Sequence, residues 1–226
     1  MNHQKLDVVF EDNHLLVINK PSGILVQGDA TGDKPLVEIC MDYIKVNYKK
    51  PGDVFLGVVH RIDRPVSGVV VFARTSKALE RMNALFRTRE TNKTYWALVD
   101  KKPARDADTL VHWLVKDEKK NKTTAYKHEH PEGSRSELSY KIRGYKSGVY
   151  LLEVIPITGR PHQIRAQLAS IGCPIVGDVK YGFGQPNPDA SICLHARSLE
   201  FIHPVRKAPL QITADLPKND FWEPFS

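Results

Sequence analysis

The alternation of hydrophobic and polar positions changes period several times along this chain, and each change marks an element. Val8-Val9-Phe10 and His14-Leu15-Leu16-Val17-Ile18-Asn19 flank the turn-forming Glu11-Asp12-Asn13, which predicts strand, turn and strand, closed by Lys20-Pro21-Ser22-Gly23. Leu36, Ile39, Cys40, Tyr43 and Ile44 recur at helical spacing behind Pro35, with Asp33 as the expected cap. Val69-Val70-Val71-Phe72 is an unbroken apolar run, the pattern of a strand covered on both faces. Thr75 or Ser76 is placed to cap a second helix whose Leu79, Met82, Leu85 and Phe86 share one face.

Lys93 to Val99 and Leu151 to Ile155 read as further strands, the second ending at Pro156. Between Asp100 and Tyr150 short strand patterns surround the hydrophilic stretch Lys116 to Lys122, an expected exposed hairpin or loop. A third helix is expected from near Pro161 to Gly172, with Ile164, Leu168 and Ile171 inward. Arg165 then falls about 100° from Ile164, at the edge of the buried face. Many strands, three helices and hairpin-like connections predict an α+β fold with a mostly antiparallel or mixed sheet. No internal repeat interrupts this pattern, so one domain over residues 1–226 is expected.

Composition narrows the class. Hydrophobic residues make up 41% and charged ones 26% of 226, a globular balance, and no apolar run reaches the roughly 20 residues of a spanning helix. The first ten residues lack the apolar core of a signal peptide, so a cytoplasmic protein is expected. Cys40, Cys173 and Cys193 have no paired spacing and read as reduced apolar side chains. His60, His162, His195 and His203 show no ligand spacing, so no metal is expected. The formal charge of +7 favours a polyanionic partner, because neutralised phosphates release counterions.

The most informative segment is His60-Arg61-Ile62-Asp63-Arg64-Pro65-Val66-Ser67-Gly68. It sets one carboxylate between two guanidinium groups directly after Gly57-Val58-Val59. Positive neighbours favour the charged form of a carboxylate, and guanidinium groups hold anionic backbones. For an isolated Arg-x-Asp, a solvated ion-pair cluster is the commoner outcome.

The flanking sequence favours chemistry. Val58 to Ala73 resembles the signature of RluA-type pseudouridine synthases, His-Arg-Leu-Asp, two variable residues, then Thr-Ser-Gly, with Ile62 and Val66 as size-conserving departures. The resemblance extends through VVFEDNHLLVINKPSGILVQ from Val8, TGRPHQIRAQLASIGCPIVGDVKYG and LHARSLEFIHP, and covers half of the chain in the family's order. It implies a long bent sheet in two halves with a central cleft, and a catalytic domain without an S4-like RNA-binding extension. It further implies isomerisation of uridine to pseudouridine in tRNA or rRNA, without metal or organic cofactor and, by expectation, by a monomer. Asp63 then corresponds to the catalytic aspartate, Tyr95 to the active-site tyrosine and Arg165 to the arginine that pairs with the aspartate. Arg61 corresponds to the position that enters the base stack when the target flips out. Arg160 and Gln163, near the start of the third helix, are candidate RNA contacts. His60 either contacts RNA or bonds its own loop. Lys20-Pro21-Ser22-Gly23 and Gly177 to Gly182 fit no phosphate-loop pattern and read as turns. Two rival functions remain open on the residues alone, a non-catalytic RNA-binding protein on the same fold and a nucleosidase-type hydrolase, although no second carboxylate motif supports the latter.

Overall fold

A computed structural model describes residues 6–226; Met1 to Lys5 lie outside the described residues. In chain order the strands and helices are β1 (Val8–Glu11), β2 (Leu15–Lys20), α1 (Leu36–Asn47), β3 (Gly57–Val58), β4 (Ser67–Ala73), α2 (Ser76–Thr88) and β5 (Asn92–Val99). There follow β6 (Ala107–Asp117), β7 (Lys122–Tyr126), β8 (Ser134–Lys146), β9 (Val149–Pro156), α3 (Gln163–Ser170), β10 (Leu194–Ile202) and β11 (Pro209–Thr213). The fold class is α+β, as the pattern predicts. The segment between Asp100 and Tyr150 forms longer strands than its short apolar runs suggest, and Lys116 to Lys122 spans their hairpin turn. No helix among the described residues is long and apolar enough to cross a membrane.

The chain divides into two compact units. The first holds the residues up to Asn92 together with Ala196–Asp215. In it β1, β2, β4, β10 and β11 neighbour one another in that order, and β3 adds to β4. Every residue of β4 is buried, as an unbroken apolar run requires. Leu15, Val17, Val69, Val71 and Met82 form one core with Leu199, Phe201, Ile212 and Ala214 from the returning strands. The Thr75 hydroxyl accepts the Ala78 amide at 3.2 Å and caps α2. The expected Asp33 cap does not form: Pro35 occupies the position before α1 with no side-chain bond, and Asp33 instead pairs with Arg64 at 2.8 Å. A guanidinium offers that carboxylate a charged partner, which the first turn of α1 does not.

In the second unit, Lys93–His195 with Leu216–Ser226, the strand order is β5-β9-β8-β6-β7, antiparallel throughout. Helix α3 is shorter than expected and departs from the one-faced pattern: Gln163 to Leu168 are all buried. Its polar residues are accommodated because they bond into the sheet. The Gln167 amide donates to the Leu110 carbonyl at 3.0 Å, and that of Gln163 to the Glu137 carbonyl at 3.0 Å. The three cysteines are free and buried, and burial pushes the Cys40 and Cys193 thiols up to about 12.

Candidate active site

In the first unit, Asp63 sits on the loop that leaves β3 and enters β4. Buried Ile62 and Val66 anchor that loop on either side of it, and the Val66 amide closes a turn on the Asp63 carbonyl at 3.0 Å. Asp63 itself is half-buried. The chain can turn into β4 here because Gly68 adopts φ +114°, and any Cβ at that position would collide with the Ala196 backbone. Gly68 in the signature is therefore a steric requirement of the loop.

His60 is bonded to β4. Its Nε2 accepts the Val71 amide at 3.1 Å, which places a ring proton on Nδ1, and the ring stacks on Phe86 with centroids 4.8 Å apart. Arg64 is likewise engaged: its Nε donates to the Gly23 carbonyl at 2.9 Å while the other end pairs with Asp33. Of the two arginines that bracket Asp63, Arg64 is held by these two bonds, and Arg61 is exposed.

Pattern reading assigned Lys20 only to a turn. Its side chain has no exposed surface, and its ammonium donates to three carbonyls, those of Pro21 at 3.0 Å, Ile24 at 2.8 Å and Arg64 at 3.2 Å. The last belongs to the residue after Asp63, so one buried cation ties the end of β2 to the Asp63 loop. Burial pulls the Lys20 pKa down to about 7; the negative charge of Asp63 opposes that shift and the positive charge of Arg64 adds to it. The alternation of β2 held the signal, since Lys20 shares a face with Leu16 and Ile18.

Tyr95 and Arg165 belong to the second unit. Tyr95 is half-buried on β5, opposite Val154 of β9. Arg165, expected at the edge of the buried face of α3, is itself buried: only 5% of it is accessible, and it forms a two-point pair with Asp178, Nε to Oδ2 at 2.7 Å and a terminal nitrogen to Oδ1 at 2.9 Å. Its guanidinium also lies over the Tyr181 ring, 4.9 Å from the centroid. Asp178 and Tyr181, read from sequence only as part of a turn, thus hold Arg165 from two sides. Gln163 is 4% exposed, and its Oε1 accepts both the Thr158 hydroxyl at 2.8 Å and the Arg160 amide at 3.0 Å. It organises the turn that carries Arg160, while Arg160 itself is exposed.

Residues 14–170 match the family model described as RNA pseudouridylate synthase, an interval that contains Asp63, Tyr95 and Arg165. The chain belongs to that family. The tRNA pseudouridine synthase C of Vibrio cholerae is 32% identical over 238 residues, covering 96% of this chain and 93% of the relative. The ribosomal large subunit pseudouridine synthase C of the same organism is 32% identical over 221 residues, 92% of this chain but 65% of that protein. The chain thus spans about two thirds of that relative's length. The solved structure of Human RNA Pseudouridylate Synthase Domain Containing 4 superposes with a TM-score of 0.78 at 25% identity, over 94% of this chain and 89% of that one. The RluA-type resemblance and the α+β fold expected from it both hold within this family.

Proposed function

We propose that this chain is an RNA pseudouridine synthase that isomerises uridine to pseudouridine in tRNA or rRNA. Membership of the family across the interval that carries Asp63, Tyr95 and Arg165 is the observation on which this rests. The reaction breaks the bond between ribose C1′ and N1, rotates the freed uracil, and joins C5 to the same sugar carbon. N1 gains a proton and C5 loses one, so nothing enters or leaves overall and no cofactor is required. One carboxylate suffices, acting on the sugar or the base, and Asp63 is that group. Tyr95 lies against the uracil and can take the C5 proton; Arg165 supplies the fixed positive partner of the carboxylate. Arg61, exposed beside Asp63, fills the stack that the flipped uridine vacates. Relatives named for tRNA and for the large ribosomal subunit support an RNA of either kind.

RNA carrying tritium at uridine C5 tests the proposal. The chain should release tritium to water, and Asp63→Asn should lower that release at least about a thousandfold while RNA affinity changes little. A pure binder releases none, and a hydrolase liberates free uracil. Either result, or turnover retained by Asp63→Asn, would remove the assignment.

A further inference from the structure

The second unit joins three chain segments at one place. The Thr123 amide, just past the β6–β7 turn, donates to the Tyr181 hydroxyl at 2.8 Å, and the Thr123 hydroxyl donates to the Pro161 carbonyl at 3.0 Å. The Lys180 ammonium donates to the Asn121 carbonyl at 3.2 Å. His162 Nδ1 meets the same Tyr181 hydroxyl at 2.8 Å. The hairpin tip, the turn before Gly182 and the approach to α3 are therefore bound to one another. Each carries an exposed cation, Lys122, Lys180 and Arg160 respectively.

The local acids do not cancel these charges. Glu118 is taken by Lys116 at 2.6 Å and Asp117 lies 3.9 Å from Lys120, while Asp178 is buried against Arg165. Among the described residues, no ion pair involves Lys122, Lys180 or Arg160. Lys122 is further steadied over the Tyr181 ring, 5.6 Å from its centroid.

We propose that Lys122, Lys180 and Arg160 form a preassembled face that grips the phosphate backbone of the RNA on which the proposed activity works. Point charges on lysine stems and a guanidinium fork match phosphate oxygens. The bonds through Thr123, Tyr181 and Pro161 have already ordered the backbone beneath them, so RNA need not organise the surface as it binds. Tyr181 also packs on Arg165, so the face and the arginine of the proposed site share one support.

The test uses the full chain with Lys122→Ala, Lys180→Ala and Arg160→Ala, singly and together, and Lys50→Ala, exposed in the first unit, as a control. Affinity for an in vitro transcribed tRNA and for a labelled polyuridine strand is measured against potassium chloride. Each substitution on the face should reduce the slope of log affinity against log salt by about 0.7–0.9. The Lys50→Ala control should leave both the slope and the tritium release unchanged. An unchanged slope in the triple variant, or an equal loss in Lys50→Ala, overturns the face. Absence of tritium release by the wild type, with the slopes falling as stated, removes the synthase proposal and leaves the face standing.

Discussion

A lysine without exposed surface is uncommon because transferring an ammonium out of water is costly unless its donors are all met. Lys20 meets that condition only while protonated: three carbonyls require three N–H donors, and a neutral amine has two. Its folded pKa near 7 lies below its ordinary 10.5. Between those values the unfolded chain binds a proton that the folded chain lacks, so stability rises with pH across this window. Below about 7 both states are charged, and the burial penalty is fully present. Urea unfolding from pH 7 to 9 should show a slope up to about 1.4 kcal/mol per pH unit that Lys20→Met lacks. Tritium release should move the opposite way, falling as the Arg64 carbonyl loses its donor and the Asp63 loop slackens. Identical slopes in both proteins would contradict this account of Lys20. At this scale Asp63, Tyr95 and Arg165 could be named as candidates because the family resemblance marks their positions, whereas Lys20 and Asp178 could not, because their partners lie far along the chain.

Helix α3 shows what element patterns leave out. Ile164 and Leu168 gave its inward face correctly, but Gln163, Arg165 and Gln167, which that apolar spacing leaves out, are buried as well. Each is matched by a distant acceptor, and no 3.6-residue period records that. By contrast, β4 and α2 were legible almost to the residue, since an unbroken apolar run and a threonine cap act locally. The link between α3 and the following turn is the Arg165–Asp178 pair. Breaking one side leaves a buried charge, so Asp178→Asn should lower the free energy of unfolding by about 3 kcal/mol. Replacing both, as in Arg165→Met with Asp178→Leu, removes the two partners of this pair together and should cost clearly less than the two single changes summed. Additive losses in urea titrations would show that the pair does not join the elements in this way.

For the whole molecule, the route of the chain matters more than any one element. The first unit is closed only when Ala196–Asp215 returns after Lys93–His195 of the second unit. Leu199, Phe201, Ile212 and Ala214 then complete the core begun by Leu15, Val17, Val69, Val71 and Met82. The sequence pattern identified β1, β2 and β4 but assigned no element to residues 194–215, and periodicity carries no mark of which strands meet across a hundred residues. A fragment ending at Asn92 should therefore fail to fold, because its largest apolar faces have no cover, and its amides should exchange without protection. Joining residues 194–215 to Asn92 through a flexible linker restores β10 and β11, and with them a cooperative unfolding transition. Loop-closure entropy grows only slowly with length, so such a linker is a smaller burden than the native detour. A fragment that folded without those strands would show that the first unit is built on β1, β2 and β4 alone.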